Sequence, residues 1–160
     1  MCGLTGLINL QSGSTDFDHI LERMNASLTH RGPDDQGLWI DTEKGIGLAH
    51  RRLSILDLSV EGHQPMRSAD DRYIIAYNGE IYNFRELRSE LEPLGHPFKG
   101  HSDTEVLLAT VVEWGIDKAL TRFNGMFAIA LWDRQTDTLH LARDRLGKKP
   151  LYLGFAGNSC

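Results

Sequence analysis

Strands that bracket a helical middle predict a mixed α/β or α+β domain rather than a strictly alternating one. Three observations carry that prediction. Short apolar runs lie toward both ends, Leu4 to Leu10 and Met126 to Trp132 among them. Two runs with helical spacing lie between Asn83 and Gly115. The length of 160 residues allows one domain and argues against two.

The elements follow in order. Leu4 to Leu10 reads as a strand leading into a polar turn, Gln11 to Thr15. Ile20, Leu21, Met24 and Leu28 recur at helical spacing, with Asp16 as the cap, which predicts a helix over residues 17–28. His30-Arg31-Gly32-Pro33-Asp34 breaks that helix. Leu38 to Ile40 and Ile46 to His50 then read as paired strands around the turn-prone Asp41 to Gly45. Tyr73 to Asn78 is a stronger strand, ending at the turn signal Asn78-Gly79.

Two helices come next. Asn83 and Glu86 stand three apart ahead of Leu87 and Leu91, with Gly95 as a stop. Ser102 and Glu105 repeat that spacing ahead of Val106, Leu107, Val111 and Trp114, with Gly115 as the stop. The remainder reads as strands at 126–132, 139–143 and 151–155, with a turn at Arg134 to Asp137.

Composition excludes several classes of function. Hydrophobic residues make up 41% and charged residues 24%, ordinary values for a globular domain with a real core. Lys plus Arg number 17 against 22 Asp plus Glu, a formal net charge of −5. That balance speaks against a nucleic-acid binder or a protein lying on an anionic membrane. The longest apolar run, Met126 to Trp132, is too short to span a bilayer, and the first residues lack a signal-peptide pattern. Cys2 and Cys160 make no disulfide framework, and the expected compartment is the reducing cytoplasm.

Cys2 is the most unusual feature. A small second residue permits removal of the initiator Met, which leaves thiol and α-amine on one residue. Those two groups titrate within about one unit of each other, so near neutral pH the amine can take the thiol proton. The alternative is a free cysteine in a frayed terminus; Gly3, Gly6 and the strand that follows argue for a terminus pinned into a sheet. A thiol attacking a carbonyl needs donors for the oxyanion. The Asn78 side-chain amide and the Gly79 N–H could supply them, or the pair could be an ordinary hairpin turn. Glu80 and Asp103 are candidates to grip a cation and Arg52 to grip a carboxylate; each alone also reads as a solvated charge. Arg51 is the control, because neighbours on a strand point to opposite faces.

Other templates fail. Gly147-Lys148 lacks the rest of a phosphate-binding loop. His96, His101 and Asp103 lack a ligand cysteine and a helical His pair, and read as loop and cap residues. Arg143, Arg145, Lys148 and Lys149 surround Asp144 and read as a solvated turn or a contact with a neighbouring domain.

Seven collinear segments give a resemblance that covers almost the whole chain. They are Met1-Cys2-Gly3, His30 to Asp34, Arg52-Leu53-Ser54-Ile55 and Asn78-Gly79-Glu80-Ile81-Tyr82-Asn83. Then follow Ser102-Asp103-Thr104-Glu105, Asn124 to Ala128, and Arg143-Asp144 with Gly147, Pro150, Leu151 and Tyr152. Together they resemble the glutaminase domain of asparagine synthetase-type class II glutamine amidotransferases, a group of N-terminal-nucleophile hydrolases.

The resemblance implies an α+β, four-layer α-β-β-α sandwich lacking its last elements. It implies Cys2 as nucleophile on the glutamine side-chain amide, Asn78 and Gly79 as oxyanion hole, and Arg52 on the α-carboxylate. Glu80 and Asp103 would hold the α-ammonium, and the backbone of Leu53 and Ile55 would frame the pocket. It implies no cofactor and no metal in this domain. Similar proteins continue past Tyr152 and add a synthetase domain in cis that uses ATP and magnesium, so residues 1–160 are expected to be a clipped glutaminase domain. The expected activity is release of ammonia from glutamine, with aspartate as default acceptor and asparagine as product. Another acceptor in surface-polysaccharide or secondary-metabolite synthesis, or an inactive domain that contacts a synthetase partner, stays open, as does a homodimer.

Overall fold

A computed structural model describes residues 2–8, 16–54, 60–155 and 160, with the Val60 side chain left aside. Among these residues the order is β1 (Gly3–Ile8), α1 (Phe17–Ser27), β2 (Asp35–Asp41), β3 (Ile46–Arg52), β4 (Met66–Arg67) and β5 (Tyr73–Ile81). Then follow α2 (Phe84–Leu91), α3 (Asp103–Trp114), α4 (Ile116–Arg122), β6 (Gly125–Asp133) and β7 (Thr138–Arg143).

The strands form two antiparallel sheets, β1-β3-β2 and β4-β5-β6-β7. Alternation along each strand decides what lies between the layers. On β5, Ile74 and Ala76 face the other sheet, where they pack with Ile46, Leu48, Ala130 and Trp132. Tyr73, Ile75 and Tyr77 face the opposite way, onto Leu87, Leu91, Val106, Leu107 and Phe123 of the helical side. On β3, Gly47 leaves room for Phe17 and Leu21 of α1, whose rings and methyls a side chain there would strike. The layers are therefore α1, first sheet, second sheet, and α2 to α4: the four-layer sandwich expected.

The helix ends show which cap signals are used. Ser102 Oγ accepts from the Glu105 N–H at 3.3 Å, and Glu105 reaches back to the Lys99 and Gly100 N–H groups at 3.1 and 2.9 Å. Gly95 and Gly115 stop their elements with φ of 91° and 78°. Asp16 and Asn83 occupy cap positions without a side-chain cap bond. Asn83 instead ties α4 to β6, accepting from Asn124 N at 2.9 Å and donating to Arg122 O at 3.0 Å.

Two expectations need correction, and one element was not expected. Asn78-Gly79 is not a turn: β5 runs through it to Ile81, because β6 pairs with it throughout, Gly79 opposite Phe127 and Ile81 opposite Gly125. Gly79 is needed there for space, since a side chain would run into the backbone of Met126 and Phe127. Residues 151–155 form no strand; Tyr152, Leu153 and Phe155 are exposed and no described strand pairs with them. A fourth helix, α4, occupies the stretch between Gly115 and the 126–132 strand that carried no prediction. Residues 9–10 of the first expected strand, the turn at 11–15, and Ile55 lie outside the described residues.

Candidate functional site

The candidate residues come from four elements that meet at one end of the seam between the sheets. β1 and β3 pair with Gly3 opposite Arg51, which brings the start of the chain beside the end of β3. Cys2 is partly buried, and its Sγ lies 3.3 Å from the Leu53 amide nitrogen, which donates to it. The thiol in turn reaches the Leu53 carbonyl at 3.6 Å. Arg31 fixes the same residue from the other side, its Nε donating to the Cys2 carbonyl at 3.1 Å. The terminus is thus pinned, as Gly3, Gly6 and the strand suggested. Neither Cys2 nor Cys160 is in a disulfide.

The pair at the end of β3 splits as strand alternation requires. Arg51 turns to α1, where its Nε donates to the Asn25 carbonyl at 3.1 Å. Arg52 turns inward and is buried. Its guanidinium lies against Gly62, where any side chain would collide with Nη2 and Cζ. The segment after it is held by Asp34, just ahead of β2: the Asp34 N–H donates to the Arg52 carbonyl at 3.0 Å, and the Ser54 N–H donates to the Asp34 carboxylate at 2.8 Å.

Asn78 is buried and lies on the inter-sheet face of β5, by alternation from Ile74 and Ala76. It lines an apolar cavity of about 690 Å³ that also touches Gly3, Arg31, Leu48, Ala130 and Leu141. Gly79 and Glu80 follow on the same strand, both partly buried.

Asp103 opens α3, in the first turn, where a negative charge suits the helix dipole. Its Oδ2 accepts from the Tyr77 hydroxyl at 2.8 Å and from the Ile81 N–H at 2.9 Å. Burial raises the Asp103 carboxyl above the ordinary range, against the pull of those two donors. Burial, and then the Asp103 charge, hold the Tyr77 hydroxyl well above its ordinary value, with smaller effects from Glu80 and Cys2. Tyr77 therefore stays protonated and donates. Cys2, Arg52, Leu53, Asn78, Gly79, Glu80 and Asp103 are thus brought to one region; Ile55 is outside the described residues.

Sequence reasoning passed over three supporting residues. Gln64 is buried, accepting from Tyr77 N at 2.7 Å and donating to Thr104 Oγ1 at 3.3 Å. His50 is wholly buried, with Nε2 3.0 Å from the Tyr77 carbonyl. Tyr77 itself reads as one more core aromatic in a strand. Only Arg31 and Asp34 had a signal, as parts of a quoted segment without a role.

The remaining candidates fall elsewhere. His96 pairs with Glu113 at 2.8 Å on the outer helical layer, away from any partnership with Asp103. Arg145 caps α4, donating to the carbonyls of Phe123 at 3.0 Å and Thr121 at 3.1 Å, and Lys149 is buried. Arg143, Arg145 and Lys148 are exposed, as a solvated turn requires, and Lys149 alone of the cluster is buried. A charged hollow at the opposite turns, lined by Asp41, Lys44, Arg72 and Arg134, contains none of the candidate residues. Its charges pair among neighbours: Lys44 with Asp137, Arg72 with Asp133, Arg134 with Asp71. Among the described residues no helix is long and apolar enough to cross a membrane.

A family model described as a glutamine amidotransferase domain matches residues 1–159, and the chain belongs to that family. The chain is 42% identical to asparagine synthetase (glutamine-hydrolyzing) 3 of Bacillus subtilis, over 99% of this chain and 26% of that protein. A putative asparagine synthetase (glutamine-hydrolyzing) 2 of Methanocaldococcus jannaschii is 40% identical over 99% of this chain and 33% of its own length. The chain thus spans a quarter to a third of these relatives. Among solved structures it is similar to glutamine phosphoribosylpyrophosphate amidotransferase from B. subtilis, with a TM-score of 0.75 and 22% identity over 98% of this chain and 40% of that chain. At that identity the likeness concerns the fold alone.

Proposed function

We propose that this domain hydrolyses the side-chain amide of glutamine to glutamate and ammonia, with Cys2 as the nucleophile. The observation that carries the reading is the seat of the Cys2 sulfur, 3.3 Å from the Leu53 N–H, directly after the buried Arg52. A thiol beside a buried cation at one end, with buried Asp103 and partly buried Glu80 nearby, suits a zwitterion whose far end carries the amide.

In this reading Met1 is removed and the freed α-amine takes the thiol proton. Arg52 holds the substrate carboxylate, and Glu80 and Asp103 its ammonium. The sulfur attacks the amide carbon, and the Asn78 side-chain amide and Gly79 N–H stabilise the oxyanion. The C–N bond breaks, nitrogen takes the proton and leaves as ammonia, and a thioester remains. Water then attacks the thioester, sulfur leaves and recovers a proton, and glutamate departs. No cofactor or metal takes part in these steps. Ammonia passes to a synthetase domain in cis that uses ATP and magnesium, and by default to aspartate, as the names of the relatives suggest.

Glutamate release from glutamine, followed with intact-mass measurement of the N-terminus, tests this. Protein that begins at Cys2 should turn glutamine over, and Cys2→Ala should abolish it. Retained Met1 with undiminished turnover, or a free Cys2 with none, would sink the proposal.

A further inference from the structure

We propose that Tyr77 is the positioning residue of the ammonium subsite: its hydroxyl, braced by Gln64, holds Asp103 so that Oδ1 is presented to the substrate's α-ammonium. This rests on the glutaminase reading and names what enforces its preference for an α-amino acid.

The geometry makes the case. Two donors, the Tyr77 hydroxyl at 2.8 Å and the Ile81 N–H at 2.9 Å, converge on one oxygen, Oδ2. Two bonds to one oxygen fix the rotation of a carboxylate, and neither of them falls on Oδ1. Both donors belong to β5, the strand that carries Asn78, Gly79 and Glu80. The subsite for the ammonium and the candidate oxyanion hole are therefore tied to one strand.

Gln64 fixes the other half of the geometry. Its side chain spans β5 and α3, accepting from Tyr77 N at 2.7 Å and donating to Thr104 Oγ1 at 3.3 Å. Tyr77 N is the amide before Asn78, and Thr104 is the residue after Asp103. The brace thus sets the separation between the strand and the first turn of α3. All four side chains are buried, Tyr77 at 3%, Gln64 at 5%, Asp103 at 6% and Thr104 at 3% exposure. A buried carboxylate needs such donors to stay ionised and matched to a cation.

The chemistry predicts a substrate-dependent effect. Tyr77→Phe keeps the ring, which packs in the core with Val106 and Leu107, and removes only the hydroxyl. Glutamine needs Asp103 for its ammonium; glutarate monoamide has the same amide and carboxylate but no amine, and so does not.

The experiment measures glutamate or glutarate release by the full chain from both amides. Tyr77→Phe is expected to lower kcat/KM for glutamine about tenfold, mainly through KM, as for a lost hydrogen bond to a charged group. It should leave glutarate monoamide within about twofold. Asp103→Asn should lower glutamine turnover in the same selective way, and adding Tyr77→Phe to it should cost little more, because the two act as one unit. Equal losses on both amides, or additive losses in the double variant, would overturn the proposal and make Tyr77 a general support of the strand. If the unsubstituted chain hydrolyses neither amide, the glutaminase reading falls and the inference with it. If it hydrolyses both and Tyr77→Phe leaves their ratio unchanged, only the inference falls.

Discussion

His50 Nε2 lies 3.0 Å from the carbonyl oxygen of Tyr77, joining the two sheets immediately before Asn78. A carbonyl only accepts, so Nε2 carries the proton and donates, and the ring is neutral. Nδ1 is buried and has no protein partner among the described residues. Burial pushes this imidazole down from 6.5 to about 4, against the pull of the Tyr77 carbonyl.

That depression has a sign for stability. The unfolded chain takes up a proton at His50 as pH falls through 6.5, whereas the folded chain resists until about 4. Stability should therefore fall across that window, by up to roughly 3 kcal/mol from this one group, and level off below it. Urea unfolding between pH 7 and 4 measures the slope. His50→Gln, which can still donate to Tyr77 O, should flatten it; an unchanged slope would show that other groups set the acid sensitivity.

Gly62 makes a separate prediction for Arg52. The guanidinium occupies the space a side chain at residue 62 would need. Gly62→Ala should displace Arg52 and raise KM for glutamine roughly tenfold, with a smaller change in kcat, as for a misplaced charge-assisted contact. Steady-state kinetics reads this directly. Unaltered KM would mean that Arg52 does not need its present position.

Asp144 supports the loop after β7. Its buried carboxylate accepts from four backbone N–H groups: Phe127 at 3.1 Å, Leu146 at 3.2 Å, Lys148 at 2.8 Å and Lys149 at 2.9 Å. Burial works against the charge, yet the donors win and hold the carboxyl below its ordinary value. Asp144→Ala should destabilise the domain by about 3 kcal/mol, since several amides lose a charged acceptor together. Asp144→Asn should cost less. Thermal unfolding of the two variants decides it, and equal costs would count against a role for the charge.

The sequence made the layers legible wherever spacing alone decides them. Alternation sent Arg51 and Arg52 to opposite faces, and the Ser102–Glu105 spacing marked the start of α3. The failures have physical causes. Asn-Gly signals a turn when the chain is free to reverse, but pairing with β6 across nine residues outweighs that local preference. α4 has only seven residues and begins right after a glycine already read as a stop, so no periodic window opens on it. The residues named from motifs were placed together, but the bracing was invisible. Tyr77 looks like strand core, and its partner Asp103 lies 26 residues on, beyond any local pattern.

The ladder between β1 and β3 acts as a gauge. Gly3 stands opposite Arg51, so one step further puts Cys2 across from Arg52. In the glutaminase reading, the group that attacks the amide and the cation that holds the carboxylate are then neighbours on adjacent strands. In that reading the backbone separation of the two groups is set by the pairing of β1 with β3. An amide one methylene shorter or longer would meet the sulfur out of reach, and a slip of one residue in β1 would turn the thiol toward α1 and silence it.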